Sequence, residues 1–139
     1  MNKIIIITQY TSITAGRDCS RFGYIAKILA NHNYNVEIIS TDFFHKTKKH
    51  RVLEEDILSK LGYKVTLLYK KNVSLRRFYS HWKLSKNLKK YLDKMEEKPD
   101  MIYCAIPSLD VAKVAARYAQ KNNIRFIIDV QDLWPEAFK

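Results

Sequence analysis

Two carboxylates and an amide interrupt and close an apolar run near the end of the chain, in the stretch 126–138 (FIIDVQDLWPEAF). The run predicts a strand over 126–130, with Asp129 inside it and Gln131 and Asp132 directly after it. In an open parallel α/β sheet, polar residues just past the carboxyl end of a strand lie in the crevice where ligands bind. The stretch therefore predicts one wall of a binding site.

The residues after Asp132 restrict the backbone further. Pro135 cannot continue a strand ladder and biases Trp134 toward an extended conformation, so the chain must turn before or at Glu136. Asp129 would cost several kcal/mol inside a buried strand unless it is paired. The alternative interpretation is that Asp129 and Asp132 only cap a following helix and bond the turn.

A second candidate site for an anion lies in the polar loop that follows the first predicted strand. Gly16 precedes a predicted helix over 21–33, where backbone N–H groups and the positive helix end attract negative charge. Arg17 and Arg21 could add charge to this loop. One glycine is not a dinucleotide fingerprint, and the sequence contains no P-loop and no GxSxG nucleophile motif.

The histidines and cysteines have no spacing typical of a metal site, so we expect no metal. We interpret the histidines as surface or core residues. They are His32, His45, His50 and His81. Cys19 and Cys104 are far apart in the sequence, which favours two free thiols in a reducing compartment.

The predicted helix over 75–95 has two apolar sides. At 100° per residue one side is a core face, formed by Leu84, Leu88, Tyr91, Leu92 and Met95. Nearly opposite lie aromatic residues among lysines, namely Leu75, Phe78, Tyr79 and Trp82 with Lys83, Lys86, Lys89 and Lys90. Either the helix breaks near Ser80–His81 or it carries a second face that is aromatic and basic.

Aromatic rings beside lysines are typical of contact with an anionic membrane surface. The alternative is that the four apolar residues of this side pack under the basic loop 42–52. The charge of the chain is consistent with either. Residues 45–98 hold sixteen Lys/Arg and six Asp/Glu, nearly all of the net charge of +11. Such a surface attracts phosphate in nucleic acid, lipid or substrate, or it merely keeps the protein solvated.

Alternating strands and helices must position these candidates. Strands are predicted over 3–8, 36–41, 63–69, 101–105 and 126–130, and helices over 21–33, 53–61, 75–95 and 109–122. Gly62 is expected to cap the second helix. The pattern predicts a doubly wound parallel five-stranded Rossmann-like sheet of class α/β in a single domain. Pro107 and Ser108 follow the fourth strand and should line the same crevice as the end of the fifth. No apolar stretch approaches the roughly 18 residues of a spanning helix.

Three pieces of the sequence, ITAGRDCSR, IYCAIPSLDVAKVAARYA and IIDVQDLWPEAF, resemble the N-terminal domain of glycosyltransferase family 4 enzymes with the GT-B fold. The resemblance is to bacterial members that build capsular, O-antigen or exopolysaccharide chains. It implies that residues 1–139 form an acceptor-binding domain. A C-terminal domain, which holds the nucleotide-sugar, would be missing or would be a separate chain.

By this resemblance Gly16 lies near the donor diphosphate, with Arg17 and Arg21 beside it. Gln131 and Asp132 match a place where many relatives have His-Asp at the acceptor hydroxyl. Gln131 cannot act as a base, which leaves Asp132 or substrate-assisted chemistry.

The resemblance implies a retaining, metal-independent transferase that uses a nucleotide-diphospho-sugar and a lipid-linked glycan acceptor. The chain would lie in the cytoplasm, on the inner face of the cell membrane, and would not bind nucleic acid. The chain alone should be inactive. The alternative, which rests on charge alone, is a non-catalytic basic module that binds anionic membrane or nucleic acid.

Overall fold

The computed structural model describes residues 2–14, 17–44, 49–70, 77–106 and 108–131. Strands and helices alternate along these residues as the sequence predicts. In chain order the elements are β1 (Lys3–Ile7), β2 (Ile13–Thr14), β3 (Arg17–Asp18), α1 (Arg21–Asn31), β4 (Asn35–Thr41), β5 (Phe43–Phe44), β6 (Lys49–His50), α2 (Glu55–Ser59), β7 (Lys64–Leu68), α3 (Arg77–Asp93), β8 (Met101–Ile106), α4 (Leu109–Lys121) and β9 (Arg125–Val130).

The main sheet has five strands in the order β7-β4-β1-β8-β9, and every pair in it is parallel. This confirms the predicted Rossmann-like α/β class. Successive strands are added on one side of β1 up to β7, and then on the other side from β8 onward. The strand order therefore reverses between β1 and β8, and a ligand crevice is expected outside the carboxyl ends of these strands.

The central strand explains why the sheet forms. Ile4 to Ile7 are each at most 3% exposed, because alternate isoleucines pack against helices on opposite faces. Ile4 and Ile6 lie in a cluster with Phe22 of α1, whereas Ile5 and Ile7 lie in a cluster with side chains of α3 and α4. Each buried isoleucine stabilises the fold by roughly 1.5–3 kcal/mol.

The edge strand β9 corrects one expectation. The sequence predicts a buried fifth strand, but Ile127, Ile128 and Val130 are 43%, 47% and 54% exposed. Within the described residues β9 pairs only with β8. An apolar run indicates a strand but does not distinguish a central strand from an edge strand, and this is why the expected burial is wrong.

Two local features also refine the prediction. The segment predicted as a loop over 42–52 contains the short antiparallel pair β5–β6, in which Phe43 lies opposite His50. Gly62 has a φ of 77°, two residues after the C-cap Lys60 of α2. Only glycine adopts this left-handed conformation without strain.

Candidate functional site at the carboxyl edge of the sheet

The loop after β1 is fastened to the start of α1 by Asp18. Its Oδ1 accepts hydrogen bonds from the backbone N–H of Ser12 at 3.0 Å and of Ser20 at 2.9 Å. Ser20 caps α1, since its Oγ accepts from the N–H of Gly23 at 3.1 Å. A Cβ on Gly23 would lie 2.4 Å from Asp18 Cβ, so only glycine permits this close approach. The loop is therefore held at the carboxyl edge by specific contacts.

Arg21 and Asp129, predicted separately, meet in the structure. The guanidinium of Arg21, the first residue of α1, forms an ion pair with Asp129 Oδ2 near the end of β9. The hydroxyl of Tyr103 donates to the same oxygen at 2.8 Å. Burial and this bond to Asp129 raise the pKa of Tyr103. Asp129 is thus paired, as its cost of burial requires, and the start of α1 is joined to the end of β9.

The other residues predicted for the two sites are placed as follows. Arg17 lies in β3 and is exposed, and Gln131 is exposed after β9. Ser108 is buried at the N-cap position of α4. Gly16, Pro107, Asp132, Trp134 and Glu136 lie outside the described residues.

A second cluster at the carboxyl edge lies on the opposite side of β1 and was missed by the sequence reasoning. Asp42 directly follows β4, and its Oδ2 lies 2.9 Å from His50 Nδ1. Its other oxygen accepts from the backbone N–H of Lys70, also at 2.9 Å. The imidazole of His50 stacks on the ring of Tyr69, with centroids 5.1 Å apart and planes within 9°. A carboxylate directly after a strand was the signal that could have identified it.

Further polar contacts join this second cluster to the loop after β1. The guanidinium of Arg51 donates to the backbone oxygen and the hydroxyl of Thr11. Burial lowers the pKa of Arg51, and the carboxylates of Asp18 and Asp42 oppose that shift. The Gln9 amide lies between Lys70 Nζ, at 3.4 Å, and His81 Nδ1, at 3.3 Å. The carboxyl ends of β1, β4 and β7 are therefore linked by side chains.

The described residues leave a small cavity at the carboxyl edge and a wider groove at the opposite edge. A cavity of about 10 Å³ lies under the carboxyl ends of β1 and β4, which is room for about one water molecule and not for a sugar. A wider open groove lies at the opposite edge, near Asn2, Tyr34, Asp100 and Arg125. Asp100 Oδ2 accepts a hydrogen bond there from the backbone N–H of Lys3, at 2.8 Å.

The structure of α3 bears on whether the helix breaks near Ser80–His81 or carries a second apolar face. The helix is unbroken through Ser80 and His81. Tyr79 and Trp82 are 43% and 46% exposed, and their rings contact each other at 5.7 Å. Among the described residues, the second side of α3 is therefore exposed at Tyr79 and Trp82.

Several lysines lie along the same helix as these rings. Lys86 Nζ lies 4.0 Å from the centre of the Trp82 ring, and Lys83 Nζ lies 5.8 Å from that of Tyr69. Lys89 and Lys90 are exposed further along the helix, and Lys89 pairs with Asp93 at 2.5 Å. The side chain of Phe78 lies outside the described residues. We call the surface formed by Tyr79, Trp82, Lys83, Lys86, Lys89 and Lys90 the aromatic-basic face.

No helix in the described part of the chain is long and apolar enough to cross a bilayer. No group of three or more His, Cys, Asp or Glu there is arranged to hold a metal ion. Cys19 is exposed and Cys104 is buried, and both are free thiols.

Comparison with known proteins identifies the fold and no family. No family model and no curated protein matches the sequence. Among solved structures, the C-terminal domain of a hydrogenase from Pyrococcus furiosus is 17% identical. It has a TM-score of 0.64, and the match covers 93% of this chain and 92% of that domain.

Two glycosyltransferases also match. The glycosyltransferase of kitacinnamycin is 11% identical with a TM-score of 0.60, and TcCGT1, solved in complex with UDP, is 14% identical with a TM-score of 0.57. The matches cover 91% and 93% of this chain but only 29% and 28% of those proteins. The chain thus has a fold that occurs as one part of glycosyltransferases and spans less than a third of their length.

Proposed function

We propose that this chain is the acceptor-side domain of a glycosyltransferase. It would help to move a sugar from a nucleotide-diphospho-sugar to a lipid-linked glycan in the synthesis of bacterial surface polysaccharide. The ion pair between Arg21 and Asp129 carries the proposal, because it joins the start of α1, directly after the loop that follows β1, to the end of β9 at the carboxyl edge. A sugar-transfer site on this fold requires these two regions to border the same edge of the sheet.

The fold and the sequence motifs support the proposal independently. The parallel sheet resembles a part of two glycosyltransferases at low sequence identity. A fold of this kind hosts many functions, so the choice rests on the residues at the edge and on the resemblance of the stretch IIDVQDLWPEAF. A C-terminal donor-binding domain, in the same polypeptide or in another, would complete the enzyme.

The residues on each side of this edge receive a role. Gly16 and Arg17 would approach the donor diphosphate. Arg21 would interact with the diphosphate while it remains paired with Asp129. The acceptor would lie along Ser108, Gln131 and Asp132, with Pro107, Trp134 and Glu136 beside them. We expect the transfer to proceed without a metal cofactor.

The aromatic-basic face would hold the domain on the cytoplasmic side of the cell membrane, where a lipid-linked acceptor is accessible. Exposed Tyr79 and Trp82 fit the depth of lipid headgroups, and the nearby lysines favour anionic lipid. Flotation with vesicles of phosphatidylglycerol and phosphatidylethanolamine in equal parts tests this role. Replacing Tyr79 and Trp82 together by alanine should reduce binding by roughly tenfold.

The matched control is the double variant Tyr24→Ala/Ile28→Ala, which removes two apolar side chains that are exposed on α1, 68% and 42% respectively. It should bind vesicles like the wild type. Equal binding by the wild type and the Tyr79/Trp82 variant would contradict the membrane role and leave the transfer proposal standing.

Sugar transfer itself is tested with the polypeptide that carries this chain together with its donor-binding domain. A panel of nucleotide sugars is offered with a polyprenyl-diphosphate-linked acceptor, and we expect one or more donors to be used. Binding of nucleic acid with no transfer from any donor would instead favour a non-catalytic basic module, the function that the net charge alone suggests.

A further inference from the structure

Strand β9 has one unpaired side in the described part of the chain, where it pairs only with β8. The N–H of Arg125 bonds to the carbonyl oxygen of Asp100, just before β8, at 3.3 Å. Backbone groups alternate in direction along a strand, so the N–H and C=O groups of Phe126 and Ile128 point away from β8. A row of such groups is a template for pairing with another strand.

Strand β9 also lacks the features that commonly protect an edge from pairing. It contains no lysine and no proline. Ile127 and Ile128, which lie on opposite faces of the sheet, are 43% and 47% exposed. The other edge strand, β7, begins with Lys64, and its remaining side chains are half-buried. An exposed apolar edge of this kind indicates that another polypeptide strand pairs with β9.

The sequence of β9 and the residue before it is complementary to itself when it is read backward. In the stretch 124–130 (IRFIIDV) the corresponding residues are Ile124 and Val130, Arg125 and Asp129, and Phe126 and Ile128, with Ile127 at the centre. Facing residues of an antiparallel pair point to the same side of the sheet and contact each other. Two copies of β9 centred on Ile127 would therefore match apolar side chains with apolar ones and each charge with the opposite charge.

Both charged residues of β9 are available for this contact. Arg125 is exposed and forms no ion pair with another described residue. Arg21 and Tyr103 both bond to Asp129 Oδ2, and no described residue bonds to its Oδ1. A guanidinium from a second copy can therefore reach Asp129 without displacing Arg21.

The backbone directions favour the same register. The N–H of Arg125 points toward β8, so Arg125, Ile127 and Asp129 occupy non-hydrogen-bonded positions of the new pair. Facing side chains approach each other most closely at such positions. A register shifted by two residues in either direction would instead place Asp129 or Arg125 opposite Ile127, which leaves a charge against an apolar side chain.

We propose that two copies of this chain associate through β9, paired antiparallel with Ile127 opposite Ile127 of the second copy. The contact is isologous, and its two-fold axis is perpendicular to the sheet. The two five-stranded sheets form one continuous sheet of ten strands. The carboxyl edges of the two copies point in opposite directions, so each copy keeps its own candidate site. Sugar transfer is not needed for this pairing.

The association is expected to be weak. One pair of strands buries less surface than a standard protein interface, so we expect a Kd on the order of 100 μM. The chain is then largely monomeric at the low micromolar concentrations at which unfolding is measured.

Sedimentation equilibrium of this chain from about 10 μM to 1 mM tests the association. The apparent mass of the wild type should rise from that of the monomer to that of the dimer and no further. Ile127→Lys sets two lysines opposite each other and should weaken association by roughly tenfold or more. Ile28→Lys is the matched control, because Ile28 is 42% exposed on α1, and it should associate like the wild type. Circular dichroism verifies that each variant is folded.

Three results would overturn the proposal. They are a wild type that stays monomeric over the whole range, assemblies that grow beyond the dimer, and a folded Ile127→Lys variant that associates like the wild type.

Disulfide formation tests the register and does not depend on the lysine variant. The background is Cys19→Ser, because Cys19 is exposed whereas Cys104 is buried. In the proposed register residue 127 faces itself at a Cα separation of about 4.5 Å, which a disulfide can span. Residue 128 faces Phe126 and lies farther from residue 128 of the second copy. Mild oxidation should therefore yield covalent dimers of Ile127→Cys several-fold faster than of Ile128→Cys, a control of similar exposure. Equal or faster cross-linking of Ile128→Cys overturns the register, and no covalent dimer from either variant overturns the interface.

Discussion

The carboxylates at the two ends of the carboxyl edge, Asp129 and Asp42, have different kinds of partner. Near the end of β9, Asp129 pairs with Arg21 and accepts a hydrogen bond from Tyr103, and these contacts join the start of α1 to the edge strand. After β4, Asp42 contacts the imidazole of His50, whose side chain is 42% exposed. The comparison teaches that a polar residue after a strand indicates position and not role. The role depends on which partner the tertiary structure brings to it.

The two ends also differ in how deeply their strands are buried, and core truncation should reveal the largest difference. Ile39 of β4 is 1% exposed, whereas Ile128 of β9 is 47% exposed. We expect Ile39→Ala to lower the free energy of unfolding by about 3 kcal/mol because it leaves a cavity. Ile128→Ala should lower it by less than about 0.5 kcal/mol. Urea unfolding followed by circular dichroism measures both.

A comparable loss in the two isoleucine variants would contradict the exposed edge. It would mean that something in solution covers β9.

Buried carboxylates should give the next largest difference. Glu37 of β4 has a side chain that is 2% exposed, and it accepts from Tyr91, from Thr66 at 2.6 Å and from Lys64 at 3.3 Å. Glu37→Ala leaves two partly buried hydroxyls without their acceptor, and we expect it to cost about 2 kcal/mol. Asp129→Ala should cost about 1 kcal/mol, because the freed guanidinium of Arg21 is exposed to water.

Thermal unfolding at neutral pH shows which of these two variants loses more stability. The conservative changes Glu37→Gln and Asp129→Asn are the controls. A larger loss for Asp129→Ala than for Glu37→Ala would reverse our ranking of the two ends.

Alkaline pH should act on the β9 end through Tyr103, and its effect is the smallest. The pKa of Tyr103 is raised in the folded protein, first by burial and then by Asp129. Above about pH 10 the tyrosine ionises first in the unfolded chain, so the stability that the neutral hydroxyl provides is lost as pH rises further. Tyr103→Phe should therefore lose less stability between pH 9 and pH 11 than the wild type does.

Denaturant titrations of the wild type and Tyr103→Phe at several alkaline pH values measure this difference. Parallel curves for the two proteins would mean that Tyr103 does not titrate as its contact with Asp129 requires.

The sequence was sufficient for the architecture. An unbroken run of mostly β-branched residues such as 3–7 is typical of a strand that is buried on both faces of the sheet. The apolar period of the helices distinguishes them from strands. It was also sufficient to select Arg21 and Asp129, because each lies where a parallel sheet places ligands. Their ion pair could not be predicted, since the residues are 108 positions apart.

The sequence was not sufficient for the second cluster. His50 is exposed in a short hairpin, eight residues after Asp42, and neither residue belongs to a motif. Only the β5–β6 pairing turns the histidine back to the end of β4. The exposure of β9 was missed for a similar reason, because sheet order and not composition decides which strand lies at the edge.

The central claim is that sugar substrates bind at the carboxyl edge, between the ends of β4 and β9. Amide shift mapping of ¹⁵N-labelled chain during titration with farnesyl-diphosphate-linked N-acetylglucosamine, a short soluble acceptor, tests it most directly. We predict shifts in residues 9–14 and 17–21, at Asp42 and His50, and at residues 129–131. Shifts confined to the opposite groove around Asn2, Tyr34 and Asp100 would contradict the account.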